Sequence, residues 1–324
     1  MLKKIDGFII ALICVIVFAW FIPISDHTIN TNLETITDIG ISLIFLFYGL
    51  KLSPKEMKMG LANYKLHILI QATTFLLFPL LILCLLPLVS NPDLQILWMA
   101  LFFMAALPST VSSSVVMVSI AKGNIPAAIF NASLSGLLGV IITPLWIAIF
   151  MTTSDHQFSL TDSVVSLILK IILPVCIGLV LNKRLGHIAQ NNKRALTLFD
   201  KSVILTIVYH SFSNSFSSNI FGNFKVSYIV YTLIITIGVF VMVYFISNFV
   251  ALKLGFSRED RITASFCGSK KSLVHGSVMA KVLFKGMSTQ GVFIVPIMIY
   301  HSIQLVIISF IAQKEERNTQ KIED

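Results

Sequence analysis

From Phe8 to Pro23, and again from Tyr228 to Leu252, the chain carries no charged residue. Runs of this length match a helix crossing roughly 30 Å of hydrocarbon at about 1.5 Å per residue. A soluble fold could bury one or two such runs but would still need a charged surface. Only 12% of the residues here are charged and 56% are apolar, against roughly 25% charged in an ordinary soluble domain. The sequence therefore predicts an all-α integral membrane protein built as one polytopic unit.

The hydropathy divides into ten spans, at about 6–25, 36–52, 65–89, 95–121, 124–151, 160–182, 196–216, 226–253, 258–284 and 289–312. Lys3 and Lys4 precede the first, which reads as a span and not as a cleaved leader. No small-x-small site follows it, and it closes on Trp20-Phe21-Ile22-Pro23. With ten spans both termini share a side. Sorting the 24 Lys and Arg puts 18 on that side, three opposite (Lys225, Lys281, Lys285) and three within spans (Lys170, Lys270, Lys271). Such asymmetry predicts a cell (inner) membrane protein with cytoplasmic termini. It also accounts for the net charge of +9 without nucleic acid as a partner. The lipid bilayer is the partner that the composition demands. Residues 1–312 form a single transmembrane domain, and 313–324 read as a charged, disordered cytoplasmic tail.

All 15 Asp and Glu fall in loops or tails on this reading, Glu34 and Asp38 among them. The membrane centre then lacks the carboxylate that many ion-driven carriers use. Cys14, Cys84, Cys176 and Cys267 are scattered through apolar runs with no CxxC, which suggests neither disulfides nor zinc. There is no HExxH, GxSxG or Walker loop. Ser269 and Lys270 are adjacent, about 100° apart on a helix, and make a poor catalytic pair. Nothing points to an enzyme or to a cofactor.

Two spans are interrupted. The fourth contains Leu107-Pro108-Ser109-Thr110-Val111-Ser112-Ser113-Ser114, and the ninth Ser265-Phe266-Cys267-Gly268-Ser269-Lys270-Lys271-Ser272. Proline removes a backbone donor, and the hydroxyls can bond freed backbone groups or line a cavity. An ammonium at mid-bilayer costs at least about 2.5–3.5 kcal/mol, so the lysine pair must meet water, a partner or a substrate. The interruptions fall in the fourth span of each half. Five spans per half is odd, so the second half enters from the opposite side. This is an inverted-repeat layout, about 1–155 and 156–312, in which paired broken helices mark the substrate site.

The other polar residues read equally well as interhelical bonds or as site residues. They are Gln71 in the third span, Asn131 and Ser135 four apart in the fifth, His210, Ser211, Ser213 and Asn214 in the seventh, and His301 and Gln304 in the tenth. Lys170 reads as structural beside Pro174, and His67 and His187 as interfacial.

Leu107 to Met117, with Gly123-Asn124 and Phe130-Asn131-Ala132 after it, resembles the bile acid:sodium symporter superfamily. Phe266 to Leu273 resembles the ninth-helix signature of its branch containing solute carrier family 10 member 7 and bacterial relatives. The resemblance implies ten helices, with three to five and eight to ten as a core and one, two, six and seven as a panel. It also implies fourth and ninth helices that unwind and cross, with two sodium ions beside the crossing. By this resemblance Ser112, Ser113 and Ser114 match the fourth-helix sodium motif. Asn131 and Ser135 fall close to its fifth-helix ligands, and Gln71 matches a third-helix glutamine. That makes Ser113, Ser114, Asn131 and Gln71 a candidate sodium set.

The ninth helix departs from the pattern. The bile-acid carriers place a glutamate and then a glutamine where this chain has Cys267 and Lys271. The missing carboxylate counts against sodium coupling. A lysine ammonium can occupy a sodium position, a titrating lysine would couple transport to H+, and a charged one would attract an anionic substrate. The expectation is a secondary transporter of a small organic anion, with Gly268, Ser269, Lys270, Lys271 and Ser272 completing the site. The alternative is a membrane regulator of calcium or ion homeostasis.

Overall fold

A run of polar residues does not end a helix if the chain supplies a cap and the side chains bond back to their own backbone. Residues 27–38 do this. Asp26 accepts from the Thr28 and Ile29 backbone N–H groups at 2.7 and 3.1 Å, a strong N-cap. Thr35, Thr37 and Ser42 hydroxyls bond carbonyls one turn back. The resulting helix, His27–Lys51, starts well before the second span expected from hydropathy.

A computed structural model describes residues 7–24, 26–52, 63–151, 160–218 and 226–323. Lys3, Lys4, Lys55, Lys58, Asp155 and Lys225 of the charge sorting lie outside the described residues. The described regular structure is all helical. In chain order it comprises α1 (Gly7–Phe21), α2 (His27–Lys51), α3 (Tyr64–Ala72), α4 (Phe78–Leu83), α5 (Pro92–Ala106), α6 (Ser112–Ile120) and α7 (Ile125–Met151). Then come α8 (Leu160–Leu167), α9 (Leu173–Asn191), α10 (Lys193–Ser217), α11 (Val226–Lys253), α12 (Arg258–Gly268), α13 (Leu273–Leu283) and α14 (Gln290–Glu323). Single π-turns, Thr73–Leu77 and Ile168–Ile172, join α3 to α4 and α8 to α9.

Six helical segments among the described residues are long and apolar enough to cross a membrane: Thr28–Lys51, Tyr64–Leu88, Ile125–Phe150, Val164–Asn191, Ser227–Lys253 and Gln290–Arg317. Ile10–Phe21 and Pro92–Ala106 are shorter apolar helices. Large apolar side chains face outward along them; Val180 is 77% exposed and Phe310 71%. In water so much exposed apolar surface would be a liability, whereas in lipid it is the required coat. The protein is a multi-pass integral membrane protein.

The chain falls into two compact units. The first comprises Met1–Leu52, Gln157–Val226 and Gly276–Val295. Within it α2 and α9 meet backbone to backbone. A Cβ on Gly49 would land on the Val175 carbonyl, and one on Gly178 on the Leu46 carbonyl. Without a hydrophobic drive between helices in lipid, such small-residue contacts hold them together. The second unit comprises Ser53–His156, Ser227–His275 and Pro296–Asp324. Its interior is aromatic, with Phe78, Phe102, Phe103, Phe240, Phe266 and Tyr300 all buried.

Three expectations need correction. Glu34 and Asp38 lie inside α2, not in a loop, because Asp26 starts the helix early. Lys281 is a buried residue of α13, carried into the interior by Asp38, which neutralises it at 2.8 Å. The tail is not disordered; α14 continues to Glu323, since residues 313–323 contain neither proline nor glycine and several good helix formers.

Candidate functional site

Two prolines in the second unit create the site. In the π-turn before α4, the Phe78 N–H bonds the Thr73 carbonyl, five residues back. The next donor in that register would serve Thr74 O, but it belongs to Pro79 and does not exist. In α-helical register Pro79 would have served Phe75 O. Both carbonyls are therefore left over. Trp146 Nε1 donates to Phe75 O at 2.8 Å, and Lys271 Nζ donates to Thr74 O at 2.8 Å.

Pro108 makes the second defect. It stops α5 at Ala106, where the last carbonyls of a helix lack intrahelical donors. Thr143 Oγ1 donates to Ala106 O at 2.7 Å. Lys271 Nζ donates to Ala105 O at 2.6 Å and Leu107 O at 2.8 Å. The Ser272 N–H reaches Pro108 O at 2.9 Å. Gly139 permits this turn, since a Cβ there would lie 2.7–2.9 Å from the Pro108 ring.

The Lys271 side chain is fully buried and ends among three carbonyl oxygens. Three acceptors require three hydrogens. A charged ammonium has three and a neutral amine two, so the three contacts would be fully used by the ammonium form. The Phe78 ring lies 4.1 Å below Nζ at its centroid, a cation–π contact. The negative end of the α5 dipole adds to the attraction. Lys271 makes no ion pair among the described residues.

The backbone of the second interruption is held as firmly. Gln304 accepts from Lys271 N at 2.8 Å and donates to Lys271 O at 2.8 Å. Tyr300 Oη donates to Ser269 O at 2.6 Å. Ser109 ties the interruptions together, its hydroxyl donating to Cys267 O at 2.6 Å and its N–H to Ser135 Oγ at 2.9 Å. Both breaks are narrower than expected. Helix resumes at Ser112, so the first covers 107–111; α12 runs through Gly268, so the second covers 269–272.

Lys270 behaves differently. Also fully buried, its Nζ donates to one carbonyl among the described residues, Ser113 O at 2.8 Å. Thr110 Oγ1 lies 2.8 Å from Ser113 Oγ and 2.9 Å from Ser114 Oγ. Ser112 opens α6; its side chain lies outside the described residues. Ser269 Oγ bonds Ser265 O at 2.6 Å, and Ser272 Oγ lies 3.0 Å from His275 Nδ1. Gly268 lets Thr73 approach.

The candidate sodium residues fall into two hydrogen-bonded groups. Ser113 and Ser114 join through Thr110. Gln71 Nε2 donates to Asn131 O and Oδ1 at 3.1 and 3.2 Å. Asn131 Nδ2 lies 2.8 Å from His67 Nδ1, so His67 is part of this polar group and not an interfacial bystander. Sequence reasoning missed Pro79, Trp146 and Tyr300. Pro79 was the readable signal, a proline in the middle of an apolar run.

Residues 6–317 match the model of the SBF-like CPA transporter family. The chain belongs to that family. An uncharacterized protein of Pseudomonas aeruginosa is 36% identical over 312 residues, 96% of this chain and 93% of the relative. A protein of Escherichia coli named "Putative symporter YfeH" is 31% identical over 322 residues, 99% of this chain and 96% of the relative. The zebrafish (Danio rerio) protein "Sodium/bile acid cotransporter 7" is 29% identical over 311 residues, 93% and 91% of the two chains. SBF-like proteins of this bile acid:sodium symporter type are transporters and not enzymes.

Proposed function

We propose that this SBF-like protein carries a small organic anion by alternating access, with Lys271 standing permanently where related carriers would bind a coupling cation. The observation that carries this reading is the Lys271 ammonium among three carbonyl oxygens at 2.6–2.8 Å. Carbonyl oxygens are also what a sodium ion would take there. A tethered cation fills the same cage without dissociating, so it removes the need for sodium. Lys270, with its single carbonyl partner, is the cation left to meet the anion or to release a proton. The interrupted helices and the short apolar helices support ten crossings in two inverted five-helix repeats. The loop charges support cytoplasmic termini.

The test is thermal unfolding of purified protein in NaCl, KCl and choline chloride at equal ionic strength. Wild type should respond alike to all three salts. Lys271→Ala, which empties the cage but keeps its carbonyls, should be stabilised by sodium specifically. A ligand at a hundred times its Kd stabilises by about 2.7 kcal/mol. Sodium-specific stabilisation of wild type that is lost in Ser113→Ala would restore a sodium symporter and overturn this reading.

A further inference from the structure

The first unit contains a cavity of about 330 Å³ lined by Asn30, Glu34, His210, Asn214, Lys281 and Lys285 among others. These six come as three pairs spaced four apart, each bringing two polar groups to one face. Gly286, at φ +78°, adopts a left-handed turn suited to glycine just beyond Lys285.

The charges do not balance. Lys281 Nζ lies 2.8 Å from Asp38 Oδ1, donates to Glu34 O at 2.8 Å and contacts Thr37 Oγ1. Lys170 pairs with the other Asp38 oxygen at 2.7 Å. Lys285 pairs with Glu34 at 2.8 Å but remains 66% exposed. Three lysines thus share two carboxylates, leaving one positive charge in excess. The neutral lining is also unsatisfied. His210 is only 6% exposed, yet neither ring nitrogen has a hydrogen-bond partner among the described residues, and Asn30 Oδ1 is likewise unpartnered. Buried polar groups in folded proteins are nearly always hydrogen-bonded, to protein, water or ligand, so these atoms are free to bond whatever enters the cavity.

We infer that this cavity is a binding site for a small polar carboxylate. One excess positive charge suits a single carboxylate. The His210 ring and the Asn214 amide suit its oxygens and any hydroxyls beside it. The volume admits a molecule of a few carbon atoms up to sugar-acid size. This proposal does not rest on the Lys270–Lys271 reading, since the lining residues of the cavity all belong to the first unit.

The experiment is isothermal titration of the purified full chain with potassium gluconate and potassium acetate in a potassium chloride background. Wild type should give saturable heat with at least one of them. Lys285→Gln, at an exposed position that does not endanger folding, should weaken binding at least about tenfold, as should His210→Phe. Lys270→Gln should leave this binding unchanged. No saturable heat with either carboxylate overturns the inference. So does binding that Lys270→Gln abolishes and Lys285→Gln spares.

Discussion

Lys271 and Lys281 are both buried lysines, and the protein surrounds their amino groups by opposite means. Lys281 meets a counter-charge, the Asp38 carboxylate, which also serves Lys170. Lys271 meets only dipoles, three backbone carbonyls exposed by Pro79 and Pro108 together with an aromatic face. A carboxylate neutralises charge and can be protonated or screened. A carbonyl cage does neither; it solvates a cation as water or an ion site would. The first arrangement is an ion-pair cluster, and the second is a buried amino group held by three backbone carbonyls.

Removing the two cations should therefore have unequal consequences. Lys271→Met leaves three buried carbonyls without donors, each costing about 1–3 kcal/mol. Relief from burying the ammonium offsets part of this, and the expected net loss is about 3–5 kcal/mol. Lys281→Met leaves Asp38 still paired with Lys170 and should cost about 1–2 kcal/mol. Chemical or thermal unfolding in detergent gives both numbers. Equal losses, or the reverse order, would show that the carbonyls do not depend on the ammonium.

Asp38→Asn tests the other arm. It leaves Lys170 and Lys281 adjacent with no shared carboxylate. Breaking a fully buried pair costs about 3–5 kcal/mol. Asp38 is 29% exposed, so water screens the loss to about 1–3 kcal/mol. The remaining repulsion between lysines should shrink in 1 M salt, where the Debye length is about 3 Å. Stability of Asp38→Asn should partly recover there, while the Lys271→Met deficit should not. A salt-insensitive Asp38→Asn variant would deny that charge holds this cluster.

Much of this contrast is legible in the amino-acid sequence. Long apolar runs with few charges force helices into lipid, and the Pro108 and Lys270–Lys271 interruptions are local breaches of that pattern. The partners are not legible. Thr74, Ala105 and Leu107 contribute carbonyls, which every residue has, so no side chain marks them. The Asn30, Glu34 and Asp38 stripe is hidden for another reason. Averaged hydropathy reads residues 27–38, nine of the twelve polar, as a loop, although Asn30, Glu34 and Asp38, spaced by four, share a helical face and the Asp26 cap begins it. The family resemblance points to Asn131 and Gln71 but cannot show that they bond each other and His67.

The smallest effect isolates the role of Pro79. Trp146→Phe keeps a ring of similar bulk but removes the donor to Phe75 O, and should cost about 1–2 kcal/mol for the stranded carbonyl. That carbonyl is stranded because residue 79 has no N–H. Pro79→Ala supplies one, able to close an ordinary α-turn onto Phe75 O. In the Pro79→Ala background Trp146→Phe should then cost little. The two substitutions are predicted to be non-additive by about 1 kcal/mol in a double-mutant cycle. Closing that turn also draws Thr74 back into helical register and away from Lys271. Pro79→Ala alone should thus weaken the cage on one side without touching the lysine. If the two substitutions instead add, the π-turn persists without its proline, and the Thr74 carbonyl is aimed at Lys271 by the packing of α3 and not by the missing N–H.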